Sequence, residues 1–174
     1  SVWEHARSRI VWLLILMFSA TLTGSIISNY EHAFEVMPIL VSFIPMLMDT
    51  GGNCGSQSST LIIRGLAIDE IKFSDFFKVV FKEFRISIVV GIMLGIANGI
   101  RIVLLNHDVY LAFVVSASIV VTVMISKFVG CVLPIVAKRL KMDPAIMAAP
   151  LITTIVDTLA IMVYFSIASQ IFNL

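Results

Sequence analysis

Apolar residues gather in five long stretches separated by short polar connections. The first runs from Ile10 to about Ser28 without a charged residue, between Glu4-His5-Ala6-Arg7-Ser8-Arg9 and Asn29-Tyr30-Glu31-His32. The others cover Ala33 to Ala67, Ile86 to Leu105, Val109 to Ala137 and Ala145 to Phe172. A hydrocarbon core about 30 Å thick needs roughly 20 mostly apolar residues per helical crossing, so the pattern predicts about five transmembrane helices. The expected fold class is an all-α membrane protein, with residues 1–9 as a lead-in segment and 10–174 as the transmembrane domain. The first stretch is too long and too uniformly apolar for a signal-peptide core, and no small-residue cleavage site follows it, so it reads as a retained helix.

The second stretch departs from this simple pattern. As one α-helix, Val36 to Ala67 would be near 48 Å long at about 1.5 Å per residue, well beyond the hydrocarbon core. Its middle is the polar, glycine-rich Asp49-Thr50-Gly51-Gly52-Asn53-Cys54-Gly55-Ser56-Gln57-Ser58-Ser59-Thr60. A break is therefore expected there, either inside a crossing helix or at the tip of a re-entrant hairpin. The hairpin would put the basic connection from Arg64 to Arg85 outside, so charge favours a broken crossing helix. Irregular backbone at membrane depth survives only where protein buries it or it lines a wet cavity, and transporters use discontinuous helices to hold ions. Further on, Phe73, Phe76, Phe77, Val80, Phe81 and Phe84 recur with helical spacing while Lys72, Asp75, Lys78, Lys82 and Glu83 take other positions. That pattern predicts an amphipathic helix at the interface leading into the third span.

Composition agrees with a bilayer setting: 59% of the residues are hydrophobic, 13% are charged and mean hydropathy is +1.04. Soluble globular chains carry about 25% charged residues. The basic residues set the orientation. Of the twelve Lys and Arg, Arg7, Arg9, Arg64, Lys72, Lys78, Lys82, Arg85, Lys138, Arg139 and Lys141 lie on alternate connections that share one side, and the opposite connections have none. The positive-inside rule puts the N-terminus in the cytoplasm of a multi-pass cell-membrane protein. With the basic residues spread over loops, the net charge of +1 gives no nucleic-acid signal. Cys54 and Cys131 fall inside apolar stretches and read as structural thiols. The chain opens on Ser1, which leaves room for an N-terminal region ahead of it.

Asp157 is the sharpest candidate for chemistry. It lies about 18 Å into the last stretch. A charge at such depth is unfavourable by roughly 2.5 to 3.5 kcal/mol, so it normally faces a bundle interior or a water path. Ala149, Thr153 and Asp157 repeat every four residues and share a helical face. The competing reading is a carboxylate that is protonated or paired with Arg101 or Lys127. Asp49 is expected at similar depth, either on an ion path or capping the second half-helix. Asn53, Ser56 and Gln57 offer side-chain oxygens, and Gly51, Gly52 and Gly55 let carbonyls approach a ligand. Oxygen donors without a His or Cys cluster suit Mg²⁺, Ca²⁺ or Mn²⁺. His5, His32 and His107 fall near the membrane surfaces, and no nucleophile with a base or phosphate loop is present, so no enzyme is expected.

The sequence also resembles a known family. Pro45-Met46-Leu47-Met48, Gly51-Gly52-Asn53 with Gly55 and Gln57, Leu61-Ile62-Ile63-Arg64, Asp143-Pro144-Ala145 and Pro150-Leu151-Ile152-Thr153-Thr154-Ile155-Val156-Asp157 together look like the membrane domain of the MgtE magnesium channels. The resemblance implies a homodimer with five helices per subunit and a pore on the two-fold axis, lined by the second and fifth helices. It implies Asp157 as the central Mg²⁺ ligand, with carbonyls from Gly52 and Thr153 and with Asp49 and Asn53 nearby. Three features depart from the family pattern. Asp49 stands where a small residue is usual; Lys127 stands where an uncharged polar residue is usual and should snorkel or pair away from the axis; and the cytoplasmic N and CBS domains that sense Mg²⁺ are absent from this chain.

The leading functional expectation is a channel that conducts largely hydrated Mg²⁺ across the lipid bilayer. A carrier coupling Mg²⁺ to Na⁺ or H⁺ would use the same features. A membrane anchor without transport is disfavoured, because it has no reason to bury Asp157.

Overall fold

The computed structural model describes the backbone of residues 1–174 and the side chains of all but Ser8 and residues 145–149. Six α-helices follow one another: α1 Val2–Asn29, α2 Glu31–Val36, α3 Ile44–Ala67, α4 Phe76–Asn106, α5 Val109–Arg139 and α6 Pro144–Phe172, with 3₁₀ turns at Pro38–Phe43 and Phe73–Asp75. The expected all-α architecture is present. Four segments, Val2–Asn29, Phe73–Asn106, Val109–Arg139 and Pro150–Phe172, are long and apolar enough to cross a membrane. The helix α3 has 24 residues but is more polar than these.

The expected break in the glycine-rich segment is absent: α3 runs without interruption through Asp49 to Thr60. The length argument asked for a break, and one exists, but it lies upstream at Met37–Phe43, where Pro38 starts a 3₁₀ turn and Pro45 occupies the first turn of α3. Proline fixes φ and lacks an N–H, so it starts helices readily and breaks those it falls within. Glycine inside a membrane helix instead lets a neighbouring helix come close. A methyl on Gly55 would stand 2.5 Å from Ile152 Cγ2, and one on Gly130 of α5 would collide with the Gly55 carbonyl oxygen. Gly51, Gly52 and Gly55 of α3 form the contact surface for α5 and α6.

The helix α5 sits at the centre, packed on α3, α4 and α6, while α1 packs chiefly on α6. Among its described residues only Thr23 of α1 is buried, and its hydroxyl meets that of Thr158 at 2.9 Å. At one end of the bundle Tyr164 donates to the Leu40 carbonyl at 2.8 Å, which ties the 3₁₀ turn to α6 and satisfies a buried phenol. Tyr30 stacks on Phe165 with ring centroids 4.6 Å apart. At the other end the amphipathic segment forms as expected and continues into α4, with Phe73, Phe77, Phe81 and Phe84 exposed.

Candidate ion-transport site

Along α3 the described side chains divide into two faces. Gly51, Gly52, Cys54, Gly55, Ser58, Ser59 and Ile62 are buried against the bundle. Asp49, Asn53, Gln57 and Thr60 are exposed, with Ser56 half-buried beside them. Spacings of three and four residues put these polar groups in one stripe along the helix. Asn53, Ser56, Gln57, Thr60 and Leu61 line a surface cavity of about 650 Å³.

The last helix runs antiparallel beside this stripe. A Cβ on Gly51 would meet Val156, one on Gly52 would lie 3.5 Å from Thr153 Cγ2, and one on Gly55 would meet Ile152. Each step up α3 is a matching step down α6, so Asp157 comes level with Thr50 and its neighbour Asp49. Asp157 is half-buried, and no described residue hydrogen-bonds or ion-pairs with its carboxylate. Arg101 and Lys127, considered as its partners, are otherwise engaged. Arg101 donates to Asn98 Oδ1 at 2.9 Å and to Met46 Sδ at 3.2 Å.

The remaining site residues are less simply placed. Gly52 lies inside a regular helix, so its carbonyl already accepts a helical bond and could offer a ligand only its second lone pair. The hydroxyls of Thr153 and Thr154 both donate to the Pro150 carbonyl, at 2.9 and 3.1 Å. Ala149, expected on the face with Thr153 and Asp157, has its side chain outside the described residues. Cys54 and Cys131 are free, buried thiols.

A model of the MgtE family, described as divalent cation transporter, matches residues 44–167, from the first residue of α3 to within α6. The chain belongs to the MgtE family. Three proteins named magnesium transporter MgtE resemble it: that of Bacillus subtilis (strain 168) is 38% identical over 164 residues, covering 94% of this chain and 36% of that protein. The Thermus thermophilus relative is 35% identical over 161 residues, 92% of this chain and 36% of its own length. The Enterococcus faecalis relative is 33% identical over 167 residues, 96% and 37% respectively. The chain thus spans about a third of the length of these relatives. In this MgtE-family chain, the matched region holds the whole α3 stripe, its α6 neighbours and Asp157.

One feature of the matched region differs from the expectation drawn from the sequence. Glu83, grouped there with the solvated charges, is buried; Ser58 donates to its Oε2 at 2.7 Å, and Lys127 Nζ lies 3.8 Å from the same oxygen and 3.1 Å from Ser58 Oγ. Lys127, expected to snorkel or to pair away from the axis, pairs with Glu83. A signal for Glu83 existed: it continues the spacing of Phe76 and Val80 toward Ser87 and Gly91, the side of α4 that packs inward.

Proposed function

We propose that this chain is the pore domain of a Mg²⁺ transporter that works as a homodimer, with the pore on the two-fold axis between copies of α3 and α6. The observation that carries the reading is the exposed stripe of Asp49, Asn53, Gln57 and Thr60 on a helix set among apolar spans. In a bilayer such a stripe cannot face hydrocarbon; it needs a second protein surface or water. One copy supplies only one side, and closed two-fold pairing is the commonest way to supply the other. The orientation that fits the basic connections has the N-terminus in the cytoplasm and α3 as the second of five crossings.

Asp157 of each copy would then hold the ion at the centre, with Asp49 and Asn53 on the approach and with carbonyls of Gly52 and Thr153 completing the oxygen surface. Mg²⁺ sheds its water reluctantly, so two carboxylates can hold a largely hydrated ion through its shell. At an effective dielectric near 20, a carboxylate and a dication about 4.5 Å apart attract by roughly 7 kcal/mol before desolvation is subtracted. The conduction is read as passive, and a reversal potential that ignores imposed Na⁺ and proton gradients is the expected result.

The test is Mg²⁺ flux into proteoliposomes holding the full-length protein at matched incorporation. Asp157→Asn preserves shape and removes charge, so flux should fall by at least tenfold while assembly survives. Flux at the unsubstituted rate would remove Asp157 from the ion path.

A further inference from the structure

Ser58 of α3, Glu83 of α4 and Lys127 of α5 meet at one point inside the bundle. All three are buried, at 0%, 7% and 6% exposure. A buried ion pair is a poor source of stability, since apolar residues of similar volume commonly serve as well or better. The neighbouring packing shows that these helices can be joined by small residues: Gly55 and Gly130 bring α3 and α5 into contact. The charges therefore call for a reason other than cohesion.

Position supplies one. Ser58 is buried and Gln57, the next residue, is exposed on the polar stripe. Lys127 Nζ, 3.1 Å from Ser58 Oγ, thus stands directly behind that stripe. An unbalanced ammonium there would repel a divalent ion twice as strongly as a monovalent one. Glu83, with Oε2 3.8 Å from the ammonium, cancels it, and the Ser58 hydroxyl touches both charges. Because these contacts come from α4 and α5, they also resist rotation of α3 about its axis, and that rotation decides which residues form the stripe.

We propose that Glu83, Lys127 and Ser58 are positioning residues for the ion path: the pair cancels the lysine charge behind the stripe, and its grip on Ser58 fixes the setting of α3 that turns Asp49, Asn53 and Gln57 outward. The consequence for ions rests on the transport reading given above. The electrostatic and rotational parts do not.

The experiment compares the modification rates of Gln57→Cys by a cationic and an anionic methanethiosulfonate reagent, in the full-length protein in proteoliposomes. The native thiols Cys54 and Cys131 are buried, and the unsubstituted protein gives the background. Glu83→Gln should raise the anionic-to-cationic rate ratio by roughly threefold or more, because it leaves Lys127 unbalanced. Lys127→Met should move the ratio the other way, and the double variant should return it to near its starting value. Ser58→Ala keeps both charges, so it should change the two rates together and leave their ratio alone; it covers the case in which a single charge variant fails to fold. In the same membranes Glu83→Gln should raise the KM for Mg²⁺, with the double variant reversing the effect. A ratio unmoved by either charge variant, or not restored in the double variant, overturns the electrostatic role. Unchanged rates in Ser58→Ala overturn the rotational one. Ratio shifts in a protein that passes no Mg²⁺ would leave the positioning intact and remove the transport reading instead.

Discussion

Gly51 of α3 and Val156 of α6 leave no space for a methyl group between them: a Cβ on Gly51 would fall 2.6 Å from Val156 Cγ1 and 2.9 Å from Thr122 Cγ2. This contact sets the distance between the helix that carries the polar stripe and the helix that carries Asp157. Gly51→Ala must displace the Val156 and Thr122 side chains or the helices that carry them. Overpacking of this kind typically destabilises by about 1–3 kcal/mol. The expected result is a lower unfolding temperature in detergent, together with reduced Mg²⁺ flux. A melting point equal to that of the unsubstituted protein would mean that the helices separate freely.

The two-fold pairing leads to a proximity prediction. If the α3 stripes of two copies face each other across water, Asn53→Cys should form dimers with a short bifunctional thiol reagent. A cysteine in place of Val89, exposed on the outer side of α4, should not. Monomers only, from Asn53→Cys, would argue against the shared pore.

Lys127→Gln leaves Glu83 buried without its countercharge. Removing one partner of such a pair costs about 3–5 kcal/mol, whereas replacing both with apolar residues is often neutral. Thermal unfolding should therefore show a large loss for Lys127→Gln and a much smaller one for Glu83→Leu combined with Lys127→Met. Equal losses would indicate that the pair contributes through packing alone.

Tyr164→Phe deletes the hydrogen bond to the Leu40 carbonyl. The expected destabilisation is about 0.5–1.5 kcal/mol. Hydrogen exchange should rise first in the 3₁₀ turn at Pro38–Phe43, because this bond is what ties it to α6. Unchanged protection of the turn in Tyr164→Phe would show that it is held by other contacts.

Much of the molecule follows from the sequence alone. Residues that must face hydrocarbon have to be apolar over the full thickness of the bilayer, so the spans of α4, α5 and α6 could be bounded by counting, and the phenylalanine spacing placed the amphipathic lead into α4. The course of α3 was not determined in this way. A run of glycine and serine is compatible with a broken helix or with a helix pressed against neighbours, and the two differ only in what lies across from each glycine. Val156, Ile152 and Gly130, distant in the chain, decide for the unbroken helix, while prolines 38 and 45 move the interruption upstream. The same holds for Glu83: a carboxylate on an amphipathic helix reads as solvated until a lysine on α5 and a serine on α3 arrive beside it. Hydrophobic patterning is a property of the chain; the partner of a buried charge is fixed only when three helices pack.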